Sequence, residues 1–393
     1  MELVGHYTLR VLFGDNNIEL TPALINKFTI VSDINNLLPV FEISLIDATG
    51  VFTHLQPFDK TMSRIQVDIS SRAQFDDANT YSFMVYRRHP ESSYSASMNY
   101  EISGVLESGD TFAPTSSRSW DTTITEVLTQ IAEEMGCKDV DINAGLNIRK
   151  KLVQPNWTNG QFLNYLKNNL VDSNGNAAHY CFVKQEGLIR KFVFQTLQSL
   201  ISTAVSHKFV VADDMYEDRL PIVEYSIVDN YKMLGTFGAK NQEYNYFDYN
   251  TSKYITNTKN YNTFYSLTDY FSIDESDPDY SFSIQKLGRS NDFTSNFAGR
   301  VLSNYHSRLN NLNKLWITTW GINDIYPGNI IDVLFPQGLS TGKIFSYQYS
   351  GFWLVQRVIH NIGDTHRTEL LLTRNGINTN EDCTLVKAIK KKV

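Results

Sequence analysis

The fold is decided by four segments: LWITT (Leu315–Thr319), NIIDVLF (Asn329–Phe335), GFWLVQRVIHN (Gly351–Asn361) and HRTELLLTR (His366–Arg374). All four are rich in β-branched and aromatic residues, which favour a pleated, half-buried surface. Pro327-Gly328 predicts a turn before the second segment. Gly363-Asp364-Thr365 predicts a hairpin between the last two. The segments therefore predict four successive β-strands.

The third of these strands is apolar on both faces. Strict alternation places Phe352, Leu354 and Val358 on one face and Trp353, Val355 and Ile359 on the other. A strand of this kind is covered on both faces, by its own core and by something else. We expect the second cover to come from assembly, because a monomer has little use for a second covered face. We also expect Trp353 to be buried in a core.

Composition places the chain among soluble globular proteins of two to four domains, since 393 residues are 42% hydrophobic and 20% charged. No apolar run approaches the roughly 20 residues that span a bilayer. The first ten residues, MELVGHYTLR, do not have the pattern of a secretory signal. Three scattered cysteines predict free thiols rather than a disulfide framework. A formal charge of −7 argues against a protein that grips nucleic acid through its phosphates.

The rest of the chain divides into segments of different character. Residues 1–113 read as short strands with polar turns, which predicts a small barrel or sandwich. Residues 114–200 combine two helices with a hairpin, an α+β unit in which Gly136 ends the first helix and Thr158 caps the second. Residues 201–236 return to strands, whereas 237–311 are Tyr/Asn-rich and predict an exposed insertion that ends in a helix.

A faint internal repeat links the two strand-rich ends. Residues 59–70 and 323–335 each place a polar turn before an apolar strand that contains an aspartate. The pattern suggests two related β-domains that flank other material. The remaining residues, 376–393, form a polar tail that ends in Lys390-Lys391-Lys392-Val393. We expect a frayed terminus, with a docking strap for an acidic partner as the alternative.

None of the candidate reactive groups carries a complete motif. His360 and His366 flank the last hairpin turn, and a surface pair is favoured over a metal-ligand set. Asp139, Asp141 and Asn143 have the spacing that opens a calcium loop, but Ala144 stands where glycine is needed. The acidic run from Asp274 to Asp279 reads as a solvated loop. We therefore expect no catalytic, cofactor-binding or metal-binding residues, and no enzyme activity.

Two further segments carry a family resemblance, SWDTTITEVLTQIAEEMGC (Ser119–Cys137) and QPNWTNGQFLNYL (Gln154–Leu166). Together with the C-terminal strand pattern that starts at Pro327, the chain resembles the central hub protein of contractile phage tail baseplates. The wider family includes the late control protein D of P2-like phages and the N-terminal part of type VI secretion spike (VgrG) proteins. The order and spacing of the motifs, over most of the chain, carry the likeness.

The resemblance implies an α+β, mainly β fold with two tail-tube-type β-barrel domains, an α+β domain between them and an insertion in the second barrel. The first barrel would be residues 1–113, and the α+β domain 114–200. The second barrel would be 201–236 with 312–375, interrupted by the insertion 237–311. A homotrimer would then form a ring of six barrels that adapts a sixfold tail tube to a threefold spike and leaves a conduit for DNA.

The partners that the resemblance implies are a tail tube protein or tube initiator, a central spike protein, wedge and other baseplate proteins and, as a further candidate, a tape measure protein. The location would be the tail baseplate of a virion, made in the host cytoplasm. We expect no cofactor, no membrane insertion and no specific nucleic-acid binding. A conduit predicts that acidic side chains line the bore, and the competing interpretation is that they coat the outside and leave the bore neutral. Two alternatives stay open: the hub of a type VI-like secretion spike, and a carbohydrate-binding or carbohydrate-degrading tail component suggested by the Tyr/Asn-rich insertion.

Overall fold

A computed structural model provides the structure of the protein. The fold is α+β and mainly β, as the sequence predicts, and its largest element is one curled sheet of 14 strands. The structure describes residues 8–14, 18–20, 22–47, 64–70, 78–92, 98–174, 178–211, 218–229, 241–248, 252–260, 281–288, 313–335 and 349–374.

The N-terminal part forms strands in which apolar and polar residues alternate. On its fourth strand Phe41, Ile43 and Leu45 are buried, whereas Glu42 is exposed. This period of two puts one face on a core and leaves the other open. The strands are β1 (Thr8–Phe13), β2 (Ile18–Glu19), β3 (Ile25–Asp33), β4 (Val40–Asp47), β5 (Arg64–Ser70), β6 (Asn79–Ser92) and β7 (Met98–Leu106).

The middle part is the predicted α+β unit, and both of its predicted helix boundaries are confirmed. Gly136 follows the first helix with a positive φ of 78°, a conformation that glycine adopts without strain. Thr158 and Gln161 form a reciprocal capping box on the second helix. The elements are β8 (Ser116–Thr123), α1 (Ile124–Glu134), β9 (Asp139–Ile142), β10 (Arg149–Trp157), α2 (Asn159–Asn169), β11 (His179–Glu186), β12 (Ile189–Thr196) and α3 (Leu197–Ile201).

The C-terminal part contains the four strands that the sequence predicts, including the hairpin across Gly363-Asp364-Thr365. The Tyr/Asn-rich insertion contributes three strands to a separate sheet in the order β17-β16-β18. The strands are β13 (Val205–Val210), β14 (Leu220–Pro221), β15 (Glu224–Asp229), β16 (Asn241–Asp248), β17 (Lys253–Asn260), β18 (Ser281–Gly288), β19 (Asn313–Trp320), β20 (Ile330–Leu334), β21 (Gly351–Ile362) and β22 (His366–Arg374). The predicted helix of residues 293–312, the acidic run Asp274–Asp279 and the tail lie outside the described residues.

The large sheet contains the same five-stranded unit twice. In the first unit the neighbours are β3-β4-β7-β6-β5, and in the second they are β15-β19-β22-β21-β20. Both units follow the same chain order, and every neighbouring pair within them is antiparallel. The units differ beyond this point, because β1 pairs with β5 antiparallel whereas β13 pairs with β20 parallel. The strands β5 and β20, which come from the predicted sequence repeat, occupy equivalent places.

A β-bulge lies at the same place in both units. The register of β21 on β22 shifts between Val355 and Arg357, and that of β6 on β7 shifts between Val85 and Arg87. Each bulge divides a long strand, of 12 residues in β21 and 14 in β6. The first half of each strand pairs with its own unit, through β20 or β5. The second half extends beyond that partner.

The second half of β21 joins the two units. Its residues Arg357–Ile362 pair antiparallel with Phe28–Asp33 of β3. The Nε of Arg357 donates to Oδ2 of Asp33 at 2.7 Å, and the carboxylate of Asp33 is buried. The backbone of Ile34 also donates to the carbonyl of Gln356 at the bulge, at 3.0 Å. The two units therefore share one continuous sheet.

The second apolar face of β21 is covered within the chain, which corrects the expectation that assembly covers it. Leu354, fully buried, packs in a cluster with Phe182 and Leu200 of the α+β unit and with Ile34. The core of the second five-stranded unit covers the other face through Trp353. The apolar pattern of β21 is therefore explained by contact with the α+β unit on one face and the core of the second unit on the other. It gives no reason to expect a trimer.

The bulge also corrects the predicted faces of this strand. Strict alternation put Val358 opposite Trp353 and Val355, but all three lie in the same core. The extra residue at the bulge, Gln356, has no partner in the β22 register, so the alternation is reversed after it.

Trp353 is fully buried, as predicted, and its ring lies 4.0 Å from the guanidinium carbon of the buried Arg374. We expect Trp353→Ala to lower the free energy of unfolding by about 3–5 kcal/mol, because it opens a large cavity in the core. Thermal and denaturant unfolding measure the loss. Trp316→Ala, on the half-buried face of β19 in the same sheet, is the matched control and should cost less. Equal losses for both variants would contradict this assignment of the core.

Candidate functional site

The most extensive feature that could serve a function is one face of the joined sheet. The strands β15-β19-β22-β21-β3-β4-β7-β6 run side by side, with one face on the two cores. We call the opposite side the open face. Its charged side chains, all exposed or half-buried, are Lys27, Glu42, Arg87, Glu101, Glu224, Lys314, Arg367 and Glu369.

Polar contacts cross the open face at the join between the two units. The hydroxyl of Thr29 on β3 donates to Oδ1 of Asn361 on β21 at 3.1 Å. The amide of Asn361 donates in turn to Oε1 of Glu369 on β22 at 2.7 Å. Arg367, on the same strand as Glu369, lies over the ring of Trp320 on β19 at 5.9 Å. These side chains hold one another, so the open face presents a fixed polar surface.

The charges of the open face are mixed and balanced. Among the side chains that the structure describes on this face, the lysines and arginines equal the glutamates in number, and the ion pair of Arg357 with Asp33 adds one of each sign. A surface of this kind has no strong field of either sign. The expectation that acidic side chains line a bore stays a prediction.

One buried side chain connects three parts of the chain. Asn79, at the start of β6, donates to the backbone carbonyl of Asn323 at 2.7 Å. Its Oδ1 accepts from the backbone of Gly187, in the hairpin turn of the α+β unit, at 2.7 Å. Asn323 itself donates to the carbonyl of Ile69 on β5 at 3.3 Å. Because each of these buried backbone groups needs a partner, Asn79 fixes the two five-stranded units and the α+β unit relative to one another.

The two motifs that carry the family resemblance meet in a polar cluster inside the α+β unit. Arg118 donates from Nε and Nη2 to Oε1 of Gln154 at 3.2 and 3.1 Å, and from Nη1 to Glu134 at 2.5 Å. Its Nη2 also donates to Oδ1 of Asn159 at 2.7 Å. Gln154, which is fully buried, donates to the carbonyl of Trp157 at 2.7 Å. The cluster joins β8, β10, α1 and α2.

The electrostatics of this cluster favour a structural role. Burial alone would raise the pKa of Glu134, but the hydrogen bonds from Arg118, Asn159 and Gln130 bring it below its ordinary value. A carboxylate held ionised by three donors is a poor proton donor near neutral pH. The sequence analysis identified the two motifs but did not predict the hydrogen bonds between them, because Arg118 and Gln154 are far apart in the chain.

The two histidines at the last hairpin do meet, but not at the surface. Nδ1 of His360 lies 3.2 Å from Nε2 of His366, and both side chains are buried. Burial lowers the pKa of His360 to about 3 and that of His366 to about 4. The predicted surface pair is therefore a buried, neutral pair. Gly321 packs directly against the His366 ring and leaves no room for a side chain.

The residues with calcium-loop spacing are engaged by protein groups. Asp139 forms an ion pair with Lys191 at 3.0 Å, and Asp141 accepts from Gln195 at 2.6 Å. Asn143 caps a short 3₁₀ turn through Gly145 and donates to Asp172. Within the described ranges, no group of three or more His, Cys, Asp or Glu side chains is placed to hold a metal ion. Over the same residues, the helices are all too short or too polar to cross a membrane.

Comparison with known proteins places the fold. No protein-family model and no curated protein matches the sequence. Among solved structures, the tail protein from Neisseria meningitidis MC58 matches with a TM-score of 0.58 and 14% identity, over 94% of this chain and 97% of that one. The 43 kDa tail protein of prophage MuSo2 from Shewanella oneidensis matches with a TM-score of 0.61 and 10% identity, over 94% and 99%. The fold is that of these tail proteins.

A third similar structure comes from a different assembly. A chain of the Francisella PdpA-VgrG complex matches with a TM-score of 0.52 and 8% identity, over 96% of this chain and 60% of that one. Tail proteins and a VgrG complex are both within the family that the sequence resembles. The resemblance is thus confirmed at the level of the fold.

The buried histidine pair predicts a specific pH dependence. Free histidine titrates near pH 6.5, so the histidines of the unfolded chain become protonated below that pH. In the folded chain, His360 and His366 stay neutral until the pH falls to about 3 to 4. The contribution of this pair to the free energy of unfolding is therefore complete above pH 6.5 and is lost as the pH drops below it.

We expect His360→Gln to reduce this loss of unfolding free energy by about 1.4 kcal/mol per pH unit, measured by unfolding between pH 7 and 5. His89→Gln, at an exposed position, is the control. Identical pH profiles for His360→Gln and the wild type would contradict the assignment.

Proposed function

We propose that the protein is the structural hub of a contractile tail baseplate, without enzymatic activity. Three copies form a ring of six barrel-like units that adapts a sixfold tail tube to a threefold spike. The domains are residues 1–113, 114–200, and 201–236 with 312–375, with the insertion at 237–311. The tail occupies 376–393.

The observation that carries this proposal is the repeated five-stranded unit. One chain presents two units with the same topology and the same bulge, fused edge to edge through β21 and β3. A closed ring of three such chains presents six similar units with threefold symmetry. A sixfold partner can bind one end of that ring, and a threefold partner can bind the other. The fold shared with the two tail proteins supports this reading.

The open face lines the conduit in this proposal. Outside the patch at Leu354 that the α+β unit covers, this face runs through both units across the join of β21 with β3. DNA moves most easily past a wall that neither holds its phosphates nor repels them, because each cation on a phosphate adds affinity. The balanced charges of the open face meet that condition.

The proposed partners follow from this placement. They are the tail tube protein or a tube initiator on one side, the central spike protein on the other, and wedge proteins around the ring, with a tape measure protein as a further candidate inside it. The location is the virion tail baseplate, after synthesis in the host cytoplasm.

A secretion spike hub is the second candidate. The fold likeness to a chain of the Francisella PdpA-VgrG complex favours it as directly as the likeness to tail proteins favours the first. Both candidates require the same ring. The third alternative, a carbohydrate-binding component, rests on the insertion, where Tyr254 is 72% exposed on β17.

Mass photometry of the purified chain, with and without its tube and spike proteins, tests the ring. We expect particles of three chains that bind double-stranded DNA weakly at physiological salt. As a matched pair, Glu42→Lys with Glu101→Lys should convert the open face to a basic surface and strengthen DNA binding, whereas Glu126→Lys with Glu133→Lys on helix α1 should not. Dimers or hexamers in place of trimers, or tight DNA binding by the wild type, would contradict the proposal.

A further inference from the structure

One surface of the α+β unit is formed by two segments without a charged residue. These are residues 111–117 (TFAPTSS) and residues 154–166 (QPNWTNGQFLNYL), and neither contains Asp, Glu, Lys or Arg. We propose that this surface, the neutral patch, binds a neutral oligosaccharide chain. Its exposed and half-buried members are Phe112, Asn156, Trp157, Gln161, Asn164 and Tyr165. The inference does not depend on the proposed trimer.

The fold brings the two segments together where β8 starts and β10 ends. The hydroxyl of Thr115 donates to Oδ1 of Asn156 at 2.8 Å. Helix α2 starts close to the first segment, because a Cβ added to Gly160 would lie 3.2 Å from the carbonyl oxygen of Thr111. Both segments therefore contribute to one surface, although about 40 residues of chain separate them.

A stack of aromatic side chains holds part of the neutral patch in place. Tyr165 is 36% exposed, and its ring lies 6.4 Å from that of the fully buried Phe162, with 11° between the two planes. Phe162 in turn stacks on Trp120 at 5.3 Å. The ring of Trp157 lies 5.4 Å from that of Tyr165, at an angle of 54°. Because Phe162 lies behind it, Tyr165 presents a pre-formed aromatic surface to a ligand.

Side-chain amides follow the aromatic rings along α2. Gln161, Asn164, Tyr165 and Asn168 have the helical spacing that places them on one face. Oε1 of Gln161 accepts from the backbone of Thr158 at 3.0 Å, and Oδ1 of Asn164 accepts from Asn168 at 3.1 Å. These contacts use the amide oxygens. The amide N–H groups of Gln161 and Asn164 have no partner among the described residues, so both can donate to a ligand.

This combination of groups fits a sugar. The C–H face of a pyranose ring is apolar and packs on an aromatic ring, whereas its hydroxyls both donate and accept hydrogen bonds. Single-stranded nucleic acid also stacks on aromatic rings, but it needs a positively charged groove, and the two segments supply no cation. A proline-rich peptide is the other uncharged candidate. It offers few N–H donors, whereas the hydroxyls and amide oxygens of the patch also accept, which favours the sugar.

Isothermal titration calorimetry of the full chain tests the proposal. The probes are the hexamer of N-acetylglucosamine and maltohexaose, so that the two arms separate N-acetylated glycans from plain glucans. We expect at least one of them to bind. Tyr165→Ala should weaken that binding by about tenfold or more, because the ring supplies the stacking surface.

A second variant and a matched control accompany this one. Asn164→Ala removes one amide and leaves the aromatic stack in place, so it should fold as the wild type and bind more weakly. Leu188→Ala changes an exposed apolar side chain at the β11–β12 turn of the same unit and should bind as the wild type. Thermal unfolding of each variant checks the fold, and Asn164→Ala decides the matter if Tyr165→Ala does not fold.

Three results would overturn the proposal. They are a wild type that binds neither sugar, folded patch variants that bind as tightly as the wild type, and binding of a proline decamer in place of the sugars. Mass photometry reports the number of chains separately. Trimers that bind no sugar would therefore contradict the neutral patch alone, and monomers that bind sugar would contradict the trimer alone.

Discussion

The structure depends on the ladder between β21 and β3. This contact joins two copies of one five-stranded unit edge to edge into a single sheet. The bulge at Gln356 makes the contact possible, because it ends the pairing of β21 with β20 and redirects the strand to β3. The ion pair of the half-exposed Arg357 with the buried carboxylate of Asp33 links the two strands at that point. The open face, and therefore the proposed conduit wall, exists only because the sheet is continuous there.

Much of this fold could be predicted from local sequence patterns. The alternation in β4, the capping box at Thr158 and the glycine after α1 each act over a few residues, so the sequence shows them directly. The faint repeat of residues 59–70 and 323–335 also pointed to real equivalents, β5 and β20. The family resemblance holds for the fold, as the matching tail proteins demonstrate.

Other features depend on contacts that the sequence does not display. The bulge in β21 reversed the predicted face of Val358, since one extra residue in a strand leaves no mark in its composition. The second cover of that strand is the α+β unit, packed on Leu354, rather than another copy. The cluster of Arg118, Gln154 and Glu134 likewise forms only once the helices fold onto their two-stranded sheet. In each case the deciding neighbour is distant in sequence.

Native-state hydrogen exchange of the backbone amides in β3 and the second half of β21 tests the central claim most directly. If the two units unfold together as one cooperative structure, the amides of the ladder exchange only through global unfolding. Their free energy of exchange then equals that of the amides in the strands of both cores. The slowest amides of β4 and β19, on either side of the join, supply that reference. Ladder amides that exchange at a clearly lower free energy than either core would show two independent units, and would contradict the account.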